Sequence, residues 1–448
     1  MRRRITSALC GVLTLLGMVG FALPAAAFGI EVQREVLANG LTVQVVNRPT
    51  LPIVMVELGL GVGSVNDPEG QAGTASMTAR LLTEGAAGKS ANEIAEAVEF
   101  VGAKLGADAG RDFSQVYLSA LKRDLKMGLN LLADVVIRPD FPNGEVERVK
   151  GEALGQIEVD LDNPGKVAAK AFDAELFGDH PYGRPPEGDA DSIAAIDRNA
   201  LVAFHRQYYR PQGAVLNFVG DITRMEAVKL AKKTFGGWRG APPSHSIPPP
   251  PAPPSGTRLV RIDRPVTQAN VVLGHMGPMR SHPDFYPVIV MNYILGGGAT
   301  HSRLGDSIRE DQGLAYAIQS GFRAMRHGGV FKVIFQTRNE SAGKAVNSAL
   351  DEIRRIRTEP VSDKELADAR SHLVGRFPFR IDTNSKVAGL LSFIHMHDLG
   401  DSYFEDYMAR VEAVTVDDVQ RVANTYLHPD DMLWVVVSDP EEVLLESP

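Results

Sequence analysis

Residues 241–256, APPSHSIPPPPAPPSG, hold eight of the chain's 28 prolines. Proline fixes φ and lacks a backbone N–H, so this run can enter neither a helix interior nor an inner strand. It reads as a semi-extended linker, residues 241–257. The linker separates an N-terminal body, residues 28–240, from a C-terminal body, residues 258–448. In the first body, Leu41–Val46 and Ile53–Leu60 read as strands rich in Val and Ile. A helix is expected at Ala75–Thr83. Another is expected at Ser90–Val101, opened by the capping pair Ser90 and Glu93. Val116–Ala120 reads as a strand and Leu125–Ile137 as an amphipathic helix. Helices near Glu145–Asp160, Lys166–Phe177 and Arg198–Tyr208, a buried-type strand Val215–Val219 and a helix Met225–Phe235 follow. The second body repeats the order: strands Leu259–Ile262 and Val271–Leu273, a helix Phe285–Leu295, further helices, and a last strand Leu433–Val437. Two units of similar size and order imply an internal duplication.

The ends and the charge narrow the setting. Arg2–Arg4, the apolar stretch Ile5–Leu23 and the small residues Ala25–Ala27 have the three parts of a secretory signal peptide, residues 1–27. A retained membrane anchor is the competing reading, opposed by the Ala-rich end. Cleavage would leave the mature chain in the periplasm, without a stable membrane anchor. The single cysteine, Cys10, lies inside that segment, so the mature chain has no disulfide and no thiolate chemistry. The 47 Lys and Arg stand against 55 Asp and Glu, a net charge of −8. Losing Arg2–Arg4 makes the balance more negative. Such a chain has no electrostatic case for nucleic acid.

The densest chemistry lies in Leu295–Phe322, LGGGATHSRLGDSIREDQGLAYAIQSGF. Gly296, Gly297 and Gly298 open it as a loop that another backbone could approach closely. A helical segment Ser302–Glu310 follows, ended by Gly313 as a left-handed cap, and then a strand Leu314–Phe322. A turn between Arg309 and Tyr316 would bring a guanidinium and a phenol to one edge, a pair able to bind peptide carbonyls or a carboxylate. The same pair is also compatible with an ordinary helix–turn–strand bearing a surface Arg and a half-buried Tyr.

The order GGG, SRL, IRE, GLAY resembles the second half of the pitrilysin and insulinase class of zinc proteases, the M16 peptidases, over nearly the whole mature chain. The resemblance implies an α+β fold of two duplicated domains, each a mixed, mainly antiparallel sheet packed with helices, closing like a clam shell. It implies that Arg309 and Tyr316 bind substrate, with Gly296–Gly298 beside them. Active members carry H-x-x-E-H on the first long helix, two histidines on one helical face binding zinc with the Glu polarising water. Here Ser76 and Arg80 stand in the histidine places and Ala79 in the glutamate place. The third ligand of the family is a Glu on a later helix. The matching segment Glu147–Ile157, ERVKGEALGQI, has Gly155 there. None of these residues is a zinc ligand, and His282, His301, His372, His395 and His397 lack ligand spacing. The expectation is therefore no catalytic residue and no metal on this chain alone. It would be a non-catalytic, substrate-binding subunit of a heterodimeric M16 zinc metallopeptidase, with zinc on a partner carrying H-x-x-E-H. The alternative is a stand-alone binding or scaffold protein of the same fold.

Overall fold

The structure, a computed structural model, describes residues 30–241, 246–253, 255–298 and 301–445. The signal-peptide reading of residues 1–27 lies outside them. The first half contains β1 (Gln33–Val36), β2 (Thr42–Asn47), β3 (Ile53–Leu60), α1 (Thr74–Leu81), a short ribbon of β4 (Gly85–Ala86) and β5 (Lys89–Ser90), α2 (Ala91–Phe100), β6 (Lys104–Ala109) and β7 (Ser114–Leu121). It continues with α3 (Leu125–Ile137), α4 (Asn143–Leu161), α5 (Pro164–Phe177), α6 (Ala190–Ala195), α7 (Arg198–Tyr208), β8 (Val215–Gly220) and α8 (Arg224–Phe235). The second half contains β9 (Arg258–Asp263), β10 (Gln268–Gly277), α9 (Phe285–Asn292), β11 (Ala315–Ala324), β12 (Gly329–Arg338), α10 (Ala342–Thr358), α11 (Asp363–Arg376), α12 (Asn384–Met396), α13 (Tyr403–Glu412), α14 (Val416–Tyr426) and β13 (Leu433–Ser438).

The two sheets share one topology. The first runs β1-β2-β8-β3-β7-β6 and the second β11-β12-β10-β13-β9. Read from the opposite end, the second repeats the first without its edge strand β1. Each sheet has a single parallel pair, β2 with β8 and β9 with β13, and is otherwise antiparallel. The duplication inferred from element order is therefore a duplication of sheet wiring.

Each half lends a helix to the other. From the second half, α12 packs on β3 and β8 of the first sheet, where Val387, Ala388, Leu391 and Ile394 share a core with Val46, Met55 and Val219. From the first half, α5 packs on β10 and β13 of the second sheet, with Ala168, Phe172 and Leu176 against Val272, Leu433, Val435 and Val437. Strands covered on both faces bury both sets of side chains, which is why β3, β8 and β13 are near-continuous apolar runs. Polar groups register the exchanged helices. Asn217 Nδ2 donates to Ala388 O (3.2 Å) and Ser392 Oγ (2.9 Å). Asp173 on α5 receives Lys332 (2.5 Å), Arg323 (2.9 Å) and Arg111 (3.0 Å), three cations on one buried carboxylate.

Local departures from the sequence reading have local causes. The strand expected at Val271–Leu273 extends over Gln268–Gly277, because its polar ends pair with β12. The helix expected to Leu295 stops at Asn292 and continues as a π-helical turn, Tyr293–Gly297. β1 and β6, polar and small-residue edge strands, carry no apolar alternation to announce them. No helix among the described residues is long and apolar enough to cross a membrane.

Candidate functional site

The segment before β11 is built to hold Arg309. Within SRL, Ser302 and Leu304 are buried and Arg303 makes a two-pronged ion pair with Glu365 (2.8 and 3.2 Å), which itself caps α11 through Ser362. Leu304 and Ile308 are fully buried. The segment expected as a plain helix, Ser302–Glu310, is for the most part a π-helical stretch, Gly305–Asp311. Gly313 has φ +60 and no neighbour within 4 Å of an added Cβ, so it serves backbone conformation, as a left-handed terminator does. Leu314 N–H returns to Ile308 O (2.9 Å), turning the chain into β11.

The strand then bulges. Ala315 opposes Thr337 and Ile318 opposes Phe335, leaving Tyr316 and Ala317 opposite Gln336. An extra residue on one strand re-aims its side chains, and here both Tyr316 and Ala317 are exposed on an edge strand. Tyr316 is 90% exposed, more than the half-buried ring of an ordinary helix–turn–strand. The Arg309 guanidinium carbon lies 5.7 Å from the Tyr316 ring centroid, within cation–π reach. Arg309 also faces Glu310 at 3.4 Å. Alongside runs a groove of about 330 Å3, bordered by Arg309, Gln319, Ile334 and Gln336 of the second half and by Gly165 and Ala168 of α5.

The glycines expected to form an open loop do not. Gly296 and Gly297 belong to the π-helical turn, and Gly298 follows it. A Cβ at Gly296 would meet Ser320 Oγ at 2.5 Å and Leu304 Cδ1 at 2.7 Å. The close approach that glycine permits there is internal, between this turn and β11.

The positions expected to be degenerate in metal binding fall on facing helices. α1 is capped by Asp67, whose carboxylate accepts from Gly73 N–H (2.8 Å) and Ala75 N–H (2.7 Å). Arg80, in its last turn, pairs with Glu152 of α4 (2.8 Å). Arg148 binds Glu152 (2.6 Å), Glu145 (2.7 Å) and Glu84 (2.5 Å), and these carboxylates hold its guanidinium firmly charged. Gly155 lies three residues past Glu152, on the same helical face, and is exposed. Ala79 is buried. The donor set does not fit zinc: Ala79 and Gly155 offer no ligand atom, and a guanidinium stays protonated. Ser76 contributes a hydroxyl alone. Among the described residues no group of three or more His, Cys, Asp and Glu could hold a metal. His397 is buried with Nδ1 on Phe393 O (3.0 Å), His372 lies against Tyr293, and His282 sits beside Tyr426 and Asp284.

Sequence reasoning missed the three-cation cluster around Asp173 and a cluster of arginines on α7 and the α8 terminus. The first is assembled from distant positions that no local spacing reports; in the second, Arg206 and Arg210 are four residues apart, but Arg239 joins them only through the fold.

Residues 42–190 match the family described as Insulinase (Peptidase family M16), and residues 195–373 match Peptidase M16 inactive domain. A protein named uncharacterized zinc protease in Mycobacterium tuberculosis is 29% identical over 413 residues, 90% of this chain and 92% of that one. One of the same description in Bacillus subtilis is 24% identical over 358 residues, 80% and 86% of the two chains. The crystal structure of a peptidase M16 inactive domain from Pseudomonas fluorescens superposes with a TM-score of 0.87 at 32% identity, covering 94% of this chain and all (100%) of that one. A protease structure from Helicobacter pylori gives a TM-score of 0.84 at 23% identity, covering 91% of this chain and 100% of that one, and shares the fold.

Proposed function

We propose, on the premise that this chain belongs to the M16 peptidase family, that it is a non-catalytic, substrate-binding subunit of a periplasmic heterodimeric zinc metallopeptidase. The relatives named zinc proteases favour proteolysis as the setting. Against a catalytic role for this chain stand Ser76, Ala79, Arg80 and Gly155, whose side chains cannot hold the metal, so no step is assigned to zinc here.

The observation that carries the reading is the exposed Tyr316 on an open sheet edge with the half-buried Arg309 beside it. A large aromatic left 90% exposed adds nothing to the core, and its phenol is free to meet a ligand. An extended peptide can add to β11 as a further strand. The Arg309 fork then donates to a carbonyl or terminal carboxylate. The Tyr316 hydroxyl donates to a substrate carbonyl as that oxygen gains charge, an oxyanion-type contribution made from the half of the assembly that lacks the metal. The scissile bond is attacked at the partner's H-x-x-E-H site.

The test is isolation of the native protein from the periplasm, with identification of co-purifying chains and metal analysis. The expected result is a stable second chain carrying H-x-x-E-H together with stoichiometric zinc. Recovery of this chain alone, metal-free and without effect on proteolysis, would favour the scaffold reading instead.

A further inference from the structure

We propose that a pocket of the first half, between α7 and the residues that follow α8, binds a small polyanion of the phosphate class. About 390 Å3 of space is bordered by four arginines, Arg198, Arg206, Arg210 and Arg239, with Asp140 as the one acidic neighbour. The Asp140 carboxylate is committed to Gly88 N–H (2.8 Å). In a chain with net charge −8, this local excess of positive charge is concentrated in a concavity. All four cations are arginine, whose planar fork matches oxyanions two bonds at a time.

The site is built. Arg198 is pinned by Nε to Phe141 O (2.8 Å) and by Nη2 to Asp140 O (2.9 Å), leaving further N–H donors uncommitted. Arg239 is held by Gly236 O and Trp238 O. The stem of Arg210 lies against Gly240, where φ is +147 and a Cβ would stand 2.1 Å from Arg210 Cδ, so only glycine lets that stem lie down. Neither Arg206 nor Arg210 forms a hydrogen bond or ion pair with a described residue. Two of the four lining guanidiniums therefore have no carboxylate partner among the described residues. Burial, helped by the positive fields of Arg210 and Arg206 and opposed by its bond to Val136 O (2.8 Å), lowers the His205 pKa, so that it forms the pocket's neutral wall.

The ligand chemistry is an oxyanion carrying two or more charges, available either as a free phosphate compound or as a lipid headgroup. Titration calorimetry of the full mature chain with pyrophosphate at low ionic strength is expected to show saturable binding. Arg206→Gln with Arg210→Gln should weaken it by about tenfold or more, with an unchanged urea midpoint in the absence of ligand. The His205 imidazole resonances should shift on adding pyrophosphate, a readout that needs no variant. Co-sedimentation with phosphatidylglycerol vesicles, against phosphatidylcholine, separates the sources. Binding to both pyrophosphate and the anionic vesicles assigns a membrane headgroup, and binding to pyrophosphate alone assigns a free anion. No binding to either, binding unaffected by the double substitution, or an unmoved His205 signal would overturn the proposal.

Discussion

Arg80 meets Glu152 across the gap between α1 and α4, and Glu152 in turn meets Arg148. These pairs are partly exposed, so the network contributes little stability, but it fills with charge the ground where ligand atoms would have to converge. The isolated mature chain is therefore expected to bind no stoichiometric zinc. One tight equivalent by metal analysis would contradict this. The geometry is itself testable, because Gly155 has no heavy atom within 4 Å of an added Cβ. Ser76→His, Arg80→His and Gly155→Glu together should create zinc affinity, read by competition with a chromogenic chelator. Absence of uptake would mean that the two helix faces do not converge as a ligand set. At Arg309, replacement by Ala should mainly raise KM in the assembled enzyme, since a ground-state contact is lost.

At the scale of elements, the exchanged helices α5 and α12 hold the two halves together, and each interface carries a buried carboxylate. Glu57 on β3 is 3% exposed beneath α12, and its Oε1 has no partner among the described residues. Burial, opposed by a hydrogen bond from Ser392, pushes its pKa up to about 7. An acid whose folded pKa is raised costs nothing below its unfolded pKa. The cost grows as pH rises from there to the folded pKa and is complete above it, here roughly 3 kcal/mol. Glu57→Gln should therefore stabilise the protein at pH 8 and change little near pH 4, measured by urea midpoints. An equal shift at both pH values would contradict the assignment. Asp173→Ala should destabilise by about 3–5 kcal/mol, because Lys332 and Arg111 lose their buried counter-charge. Neither interface was legible in the sequence. The Val- and Ile-rich strands, the capping box at Ser90 and the helix Leu125–Ile137 were, because each is written in a contiguous stretch. The π-helical turns were not, since Tyr293–Gly297 and Gly305–Asp311 have the periodicity of ordinary helix over so few residues. The proximity of Arg309 and Tyr316 was readable because a turn separates them. The bulge that exposes Tyr316 depends on pairing with β12 and was not.

At the scale of the whole molecule, helices are traded between the two halves of the chain. Opening it would strip α12 from β3 and β8, and α5 from β10 and β13. The clam-shell closure implied by the family is accordingly proposed to lie between two chains, with this chain as one valve. The most direct test is the steady-state rate of peptide cleavage by the reconstituted two-chain enzyme, with this chain either unmodified or carrying Tyr316→Phe. The substitution keeps the ring and removes only the hydroxyl. The account predicts a fall in kcat of about a hundredfold, roughly 3 kcal/mol of lost stabilisation of a developing oxyanion, with zinc content and assembly unchanged. Full turnover and unchanged KM with Tyr316→Phe would contradict it.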